Sequence, residues 1–288
     1  MDIHDRTGST LVVYTAIFGR KDRLREPEVF PKVDYVCFTD DPSLRSKVWR
    51  IICVKGKGNP RRLAKIYKIL PHRFFPEYEW SLWVDGTHLP AENPQKLAYR
   101  FLKDKPMALF VHPERNCIYD EAKECLRRKL DQPRLIQSQI KKYKEIGYPA
   151  RKGLAACTII FRRHQEDLVK KAMEEWWKEI EEFSSRDQLS FNFVMWKHAL
   201  RYTVIPWNIY INKYFTYKPH LDYIPSKKRQ PDRGFFLNMN YWIGRIGYTI
   251  RAKSPFSYYV LKRFVAPLWE VPFRKIQSLF FDSKTTSE

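Results

Sequence analysis

The chain has 288 residues, of which 44% are hydrophobic, so it can fill a sizeable core and is not intrinsically disordered. Lys and Arg outnumber Asp and Glu by 53 to 32, and the net charge of +21 favours anionic partners such as nucleic acid, acidic lipid or phosphorylated substrates. The five cysteines are odd in number and show no Cys-x-x-Cys spacing, which argues against a disulfide framework or a zinc site.

The predicted elements alternate between strands and helices. In chain order they are strands at 9–18, 34–40 and 50–55, a helix at 61–70, a strand at 81–86, a helix at 94–103, a strand at 107–112, helices at 120–130 and 133–147, a strand at 157–163 and a helix at 166–183. Most strands are short apolar runs without polar alternation, which is typical of a mainly parallel sheet covered on both faces. The pattern predicts a βαβ architecture.

Two regions are expected, an α/β domain at 1–225 and a basic, aromatic extension at 226–288. Residues 226–281 contain eleven Lys or Arg and two acids, and the basic residues alternate with aromatic ones. This composition suits a helical tail lying among anionic lipid headgroups, although packing of the aromatic residues on a core would explain it as well. Nucleic acid is not expected as a partner, because no helix-turn-helix, zinc-finger or RNP pattern accompanies the charge.

The N-terminal apolar run LVVYTAIF is followed by RKDRLRE, which fits neither a signal peptide nor a membrane anchor. No window approaches the roughly 18 apolar residues that a spanning helix needs. We therefore expect a cytoplasmic protein, held peripherally at the inner membrane face if the basic extension binds lipid.

Polar residues stand at the ends of several predicted strands, where open α/β sheets bind their ligands. They are Thr15, Gly19, Thr39, Asp40, Asp41, Asp85, Gly86, Thr87, His112 and Arg115.

Several multi-residue blocks occur in a characteristic order: YTAIFGRKDRLREP, CFTDDP, KIYKILPH, LWVDGT, FVHPERNCIYDEA, Gly153-Leu154 and SRDQLSFNF. Over about residues 10 to 200 they resemble the glycosyltransferase family that contains the plant rhamnogalacturonan I galacturonosyltransferases. The resemblance implies a GT-A fold, a Rossmann-like mixed, mainly parallel sheet flanked by helices. It also implies transfer of a sugar, with retention of configuration, from a nucleoside diphosphate donor such as a UDP-sugar to a glycan or glycolipid in polysaccharide biosynthesis.

On this basis the first two strand ends are expected to bind the nucleotide of the donor. Tyr14, Thr15, Ala16 and Phe18 would present backbone groups and an aromatic wall to the base, and Asp40 would accept a hydrogen bond from base or ribose. A plain turn is the alternative for Asp40.

GT-A enzymes usually hold a divalent cation, Mn²⁺ or Mg²⁺, with an Asp-x-Asp pair, but the matching positions here are Asp85, Gly86 and Thr87. Asp85 would then contact the ribose, or hold a metal with help from Thr87 and from His88 or His220. Alternatively His220 is an ordinary loop residue, and Asp85 only forms a turn before Gly86.

A second possibility is that the metal is dispensable and basic side chains neutralise the diphosphate. Lys65 and Lys68, with Arg61 and Arg62, lie on one predicted helix and are available for this.

The block SRDQLSFNF raises the question of catalysis. Retaining GT-A enzymes similar to glycogenin carry an Asp-Gln pair in a comparable place, so Asp187 and Gln188 are expected beside the reacting sugar carbon, with Asp85 as the third catalytic residue. The alternative is structural, with Ser184 or Ser185 capping the next helix and Asp187 favouring its dipole.

The block after the fifth strand offers His112 and Arg115 for donor binding and Glu121 for acceptor binding. Arg suits a diphosphate or an acidic sugar because it forms paired hydrogen bonds. Arg163 is a further candidate for the acceptor. A helix start at Asp120 and Glu121, and a solvated strand end at Arg163, are the plainer interpretations.

The main functional alternative is a non-catalytic anion-binding protein for nucleic acid or an acidic membrane surface. Its binding would follow from the charge of +21 and would not need Asp85 or Asp187.

Overall fold

The structure, a computed structural model, describes residues 10–56 and 58–218. Its strands are β1 (Leu11–Ile17), β2 (Val33–Thr39), β3 (Arg50–Cys53), β4 (Trp80–Val84), β5 (His88–Pro90), β6 (Met107–Val111), β7 (Ala155–Arg162), β8 (Thr203–Ile205) and β9 (Phe215–Tyr217). Its helices are α1 (Pro60–Ile69), α2 (Pro71–Phe74), α3 (Pro94–Phe101), α4 (Ile118–Arg127), α5 (Pro133–Glu145), α6 (Asp167–Glu182) and α7 (Phe191–Lys197), with a 3-10 turn at Asp187–Leu189.

Seven strands form one sheet in the order β3-β2-β1-β4-β7-β6-β8, and β5 pairs with β9 in a separate ribbon. The pairs among β1 to β4, and the pair of β6 with β8, are parallel. Strand β7 runs antiparallel to both of its neighbours, β4 and β6. The expected Rossmann-like, mainly parallel sheet flanked by helices is therefore confirmed.

Both faces of the sheet are buried, as the apolar strands predicted. Val12 and Tyr14 of β1 pack into one hydrophobic cluster with residues of α6 and α7, whereas Leu11 and Val13 pack into a second cluster with residues of α3. Alternate side chains of a strand point to opposite faces, so an uninterrupted apolar run buries both.

Helix α1 has clear start and stop signals. The side chain of Asn59 accepts a hydrogen bond from the amide of Arg61, and Pro60 occupies the first turn. The helix ends before Pro71, whose ring disfavours a helical conformation in the preceding residue. These signals place Lys65 and Lys68 on its last two turns.

The antiparallel direction of β7 decides which residues meet at the functional edge of the sheet. The carboxyl ends of β1, β2, β4 and β6 share that edge with the start of β7: the Asp85 amide donates to the Thr158 carbonyl, and the His112 amide donates to the Leu154 carbonyl. The end of β7 lies at the opposite edge, where Arg162 pairs with Ser81 and with Met107.

In the part of the chain that the structure describes, no helix is long and apolar enough to cross a bilayer. The basic extension at 226–288 lies outside the described residues.

Candidate active site

Two lysines and two aspartates form a charged cluster at the carboxyl edge of the sheet. Lys65 Nζ lies 2.5 Å and Lys68 Nζ 2.7 Å from Asp187 Oδ2. Lys68 Nζ also lies 3.2 Å from Asp85 Oδ1, so it joins the two predicted catalytic carboxylates. The cluster forms because Lys65 and Lys68 are three residues apart on α1 and project from the same face.

The backbone of Asp187 is fixed by α6 and by the loop that precedes the 3-10 turn. The indole Nε1 of Trp176 donates to the Asp187 carbonyl at 3.3 Å. Asp131 Oδ2 accepts hydrogen bonds from the Ser184 hydroxyl and from both the amide and the hydroxyl of Ser185. The Ser184 hydroxyl also accepts from the Arg186 amide at 3.2 Å, but the residue that caps the 3-10 turn is Arg186 and neither of the serines named in the structural alternative.

Burial and charge act in opposite directions on the cluster. Burial alone would raise the pKa of the Asp187 carboxyl, but the ammonium groups of Lys65 and Lys68 outweigh it and hold that pKa far below its usual value. Burial would lower the pKa of Lys68, yet Asp187 and Asp85 raise it. For Lys65 burial dominates and lowers the pKa. Asp187 is thus a stable carboxylate held by two cations.

Two cavities meet at this cluster. The first, here called the β1 cavity, has a volume of about 180 Å³ and lies between the end of β1, helix α1 and the turn after β4. The second, here called the α4 cavity, has a volume of about 410 Å³ and lies beside α4 and the 3-10 turn. Lys65, Lys68, Asp85 and Thr87 line both. A ligand that spans the two cavities would have to pass over the lysines.

A third cavity adjoins the β1 cavity. It has a volume of about 570 Å³ and is lined by residues of the 20–26 segment, including Arg20 and Arg23, and by Arg45; we call it the arginine cavity. It shares Ile17, Lys21 and Asp22 with the β1 cavity.

Four of the predicted donor-binding residues line the β1 cavity besides the lysines: Ala16, Phe18, Gly86 and Thr87. Tyr14 and Thr15 line none of these three cavities, and both side chains are buried in the sheet, so any contact of theirs with the donor would be through the backbone. The Tyr14 hydroxyl instead donates to the carbonyl of Lys68 at 3.1 Å. These consecutive side chains point to opposite faces of the sheet, and both are buried because both faces are covered.

The Asp40 carboxylate forms hydrogen bonds within the protein. Its two carboxylate oxygens accept hydrogen bonds from the Gly19 amide at 2.9 and 3.0 Å, which ties the end of β2 to the loop after β1. Among the cavities described here, Asp40 lines none, so the turn interpretation describes its contacts better than a direct bond to base or ribose.

His112, Arg115 and Glu121 form a connected wall of the α4 cavity. Arg115 Nε donates to Glu121 Oε2 at 2.6 Å, and His112 Nε2 lies 3.7 Å from the same oxygen. His112 Nδ1 accepts from the amides of Glu114 and Arg115, and burial lowers its pKa, so His112 is a neutral imidazole. Gln188 also lines this cavity.

Three predicted arginines donate hydrogen bonds to backbone carbonyl groups. Arg163 follows β7 at the opposite edge of the sheet, where it donates to the Leu102 carbonyl, so the structure does not bring it to the cavities. The reason is that β7 runs antiparallel to β4 and β6. Arg61 lines the β1 cavity, as the prediction requires, while its guanidinium donates to the Leu130 carbonyl. Arg62 donates to carbonyls at the end of α6, among them that of Phe183.

Among the residues that the structure describes, the side chains around Asp85 do not by themselves form a metal site. Asp85 Oδ1 already accepts hydrogen bonds from Trp83 Nε1 at 2.7 Å and from Lys68. Within residues 10–56 and 58–218, no three His, Cys, Asp or Glu side chains are grouped as metal ligands would be. His220 lies outside the described residues. Of the side chains predicted to hold a cation, Asp85 and Thr87 line both the β1 cavity and the α4 cavity.

Sequence reasoning missed Arg186, which lines the α4 cavity. One of its terminal nitrogens lies 3.4 Å from Gln188 Oε1, and its buried Nε has no hydrogen-bond partner among the described residues. The available signal was its position directly before Asp187. Asp131 and Trp176 carry no such signal, because their roles depend on contacts distant in sequence.

A Rossmann-like sheet with a charged cluster and cavities at the carboxyl ends of its strands is consistent with a GT-A fold. The chain belongs to the TOD1/MUCI70 glycosyltransferase-like domain family, whose model matches residues 1–218. This confirms the family resemblance drawn from the sequence blocks.

Two relatives from Arabidopsis thaliana are similar to the chain. A protein named probable hexosyltransferase MUCI70 is 27% identical over 221 residues, a match that covers 66% of this chain and 38% of that protein. A protein named alkaline ceramidase TOD1 is 29% identical over 225 residues, covering 64% of this chain and 48% of that protein. The chain thus matches less than half the length of each.

Proposed function

We propose that the chain is a glycosyltransferase that moves a sugar from a nucleoside diphosphate donor, UDP-sugar being the first to test, to a glycan or glycolipid acceptor. One observation carries the proposal: two cavities meet over an ammonium pair that is preformed by two carboxylates. The nucleoside would occupy the β1 cavity, and the sugar and acceptor would occupy the α4 cavity. The volume of the latter, about 410 Å³, lies within the range of ligand sites.

Lys65 and Lys68 would neutralise the diphosphate as it leaves. When the bond between the sugar carbon and the phosphate oxygen breaks, its electron pair stays on that oxygen, and charge develops where the two ammonium groups can bind it. The contact of both lysines with Asp187 supports this role, because it holds them in place before the donor arrives. We propose that this pair, without a protein-built metal site, carries the neutralisation.

Retention of configuration would follow from attack on the same face that the diphosphate leaves. The acceptor hydroxyl would bond to the sugar carbon, and its proton would pass to the departing phosphate oxygen. A covalent sugar on Asp187 is disfavoured, because two cations hold this carboxylate and depress its pKa, which makes it a poor nucleophile. Asp187 and Asp85 then act on the lysines and on the positive charge of the sugar.

The lining of the α4 cavity favours a polar acceptor over a lipid amide, the substrate class that the name of one relative indicates. Most of its lining side chains are charged or polar, including Glu114, Glu124 and Arg128, whereas a ceramide would require an apolar slot. We therefore do not extend the ceramidase activity to this chain.

Binding of the basic extension to an anionic membrane surface remains a proposal that rests on composition, as does the cytoplasmic location, since residues 226–288 lie outside the described residues.

A thermal-shift screen of nucleoside diphosphates, followed by assay of UDP release from a panel of UDP-sugars, tests the proposed function. Each measurement is made with EDTA and with manganese. We expect UDP to raise the melting temperature under both conditions, and we expect Asp187→Ala to abolish turnover. If no nucleoside diphosphate shifts the melting temperature, the non-catalytic anion-binding alternative replaces the proposal. If UDP binds with manganese but not with EDTA, the role given to the lysine pair is wrong.

A further inference from the structure

A fully buried arginine lies behind the lysine pair. Arg162, the last residue of β7, has no exposed surface, and none of the ion pairs among the described residues involves it. A terminal guanidinium nitrogen lies 2.5 Å from the Tyr14 hydroxyl and 2.7 Å from the Lys68 carbonyl oxygen. The other lies 3.4 Å from the Ile69 carbonyl oxygen and 3.4 Å from Met173 Sδ.

The contacts of Arg162 match what the end of a helix lacks. The last carbonyl groups of a helix have no partner within it, and the helix dipole places partial negative charge there. Arg162 supplies donors to the carbonyls of Lys68 and Ile69, and Tyr14 adds a second donor to Lys68. The last turn of α1 is therefore fixed by two side chains from the sheet.

Burying the charged Arg162 side chain in the core has a high free-energy cost. Burying a guanidinium without a carboxylate partner costs far more than burying an apolar side chain of similar size, and burial lowers the pKa of Arg162. If Arg162 only filled space, Met or Leu would stabilise the core more. Neither Met nor Leu can donate hydrogen bonds to the carbonyls of Lys68 and Ile69, as Arg162 does.

We propose that Arg162, together with Tyr14, is a positioning residue for Lys68: it fixes the last turn of α1 so that the Lys68 ammonium stays between Asp85 and Asp187. This inference rests on the proposed function, in which Lys68 meets the charge that develops on the leaving diphosphate. Tyr14 thereby acts through the backbone of Lys68 and not through the donor.

The test compares Arg162→Met, Arg162→Lys and Tyr14→Phe with the wild type in the full-length chain. Arg163→Met is the matched control, because Arg163 is the next residue but donates to the Leu102 carbonyl and not to the carbonyls at the end of α1. The readouts are melting temperature, UDP affinity, and kcat and KM for UDP release from the best UDP-sugar.

For Arg162→Met we expect kcat to fall by about 10- to 100-fold with donor KM changed by less than about threefold, because misplacement of a group that acts in the transition state affects turnover most. Arg162→Lys, which can donate to one carbonyl, should recover part of the loss. Tyr14→Phe should lower kcat by about three- to tenfold. Arg163→Met should keep the wild-type values.

Folded Arg162→Met with wild-type kcat would overturn the inference, and so would a lower melting temperature with kcat unchanged in the folded fraction. If Arg162→Met does not fold, Tyr14→Phe and Arg162→Lys decide, and wild-type kcat in both refutes it. If the wild type itself neither binds UDP nor releases it from any donor, the proposed function fails and the inference falls with it. If the wild type binds UDP and turns over, but the variants have the same kcat as the wild type, only the inference about Arg162 is refuted.

Discussion

At the residue scale, the site depends on a balance of four buried or half-buried charges. Lys68 is shared by Asp85 and Asp187, while Lys65 contacts Asp187 only. The carboxylates therefore keep two ammonium groups close together that would otherwise repel each other. A diphosphate that enters at the junction of the cavities meets donors already in position, which lowers the cost of reorganisation.

We predict that Lys65→Met weakens UDP binding by about tenfold or more. A hydrogen bond to a charged group contributes about 1.5–3 kcal/mol, and about 1.4 kcal/mol corresponds to a tenfold change in affinity. Calorimetric titration of UDP measures the effect. Lys96→Met on α3, a helix that lines neither cavity at the cluster, is the control. Equal affinity of Lys65→Met and wild type would place the diphosphate elsewhere.

We predict that Asp187→Asn lowers the free energy of unfolding by about 3 kcal/mol, since it leaves two ammonium groups without their shared partner. Asp187 has a lower pKa in the folded chain than in the unfolded chain, where it is about 3.9. Its contribution is therefore complete above that value and is lost as the pH falls towards the folded pKa.

Urea unfolding at several pH values measures this difference. The gap between wild type and Asp187→Asn should be constant between about pH 5 and 8 and should narrow only below about pH 4. A gap that closes already near pH 6 would show that the carboxylate is not held by the lysines.

Sequence reasoning predicted Lys65, Lys68, Asp85 and Asp187 as site residues, and the structure brings these four together. The lysines share a helix face, and Asp85 follows a buried strand, so local patterns were sufficient. The position of Arg163 away from the cavities could not be predicted, because the composition of a strand does not reveal its direction. The burial of the Tyr14 side chain could not be predicted either, because a residue near a strand end can still point into the core.

At the element scale, α1 connects the two halves of the site. Its start packs against the loop after β1, where a Cβ on Gly19 would lie 3.0 Å from Pro60 side-chain atoms. Its end is held by Arg162 and carries Lys68. Movement of this one helix would therefore change the β1 cavity and the lysine pair together.

We predict that Gly19→Ala destabilises the fold and weakens UDP binding. Gly19 has φ of 64°, a left-handed conformation that costs other residues about 1–2 kcal/mol, and the new methyl group would also press on Pro60. Gly147→Ala is a matched control, because φ is 83° there but no atom lies within 4 Å of the added Cβ.

Thermal unfolding and UDP titration of the two glycine variants separate strain from contact. Gly147→Ala should lose stability through strain alone and keep its UDP affinity, whereas Gly19→Ala should lose more stability and affinity. The same UDP affinity in both variants would contradict the role given to the β1–α1 junction.

The long elements were predictable and the short ones were not. Six strands and five helices were found from apolar runs and helical spacing, and β1–β4, β6 and β7 confirm the strands. The three-residue strands β5, β8 and β9 were missed because three residues cannot show a periodicity. Their pairing is decided by tertiary contacts.

At the scale of the whole molecule, the net charge of +21 is a feature that transfer of a sugar to a soluble acceptor does not require. Residues 226–281 contribute a large share of it. Attraction to an anionic surface grows by about 1 kcal/mol for each basic residue close to it. If the acceptor is in or near an anionic membrane, this charge would hold the chain close to the acceptor.

We predict that the chain binds vesicles of phosphatidylserine and phosphatidylcholine but not vesicles of phosphatidylcholine alone. The double variant Lys262→Gln and Arg263→Gln should bind about 30-fold more weakly, as expected for the loss of about 2 kcal/mol. Lys103→Gln with Lys105→Gln, outside the extension, is the charge-matched control. A flotation assay measures binding to the vesicles. If both double variants lose the same affinity, net charge and not the extension accounts for the binding.

The most direct test of the central claim is a crystal structure of the chain with UDP. We predict that the uridine lies in the β1 cavity and that phosphate oxygens lie about 3 Å from the ammonium nitrogens of Lys65 and Lys68. Phosphates bound in the arginine cavity, with both lysines still held only by Asp187 and Asp85, would contradict it.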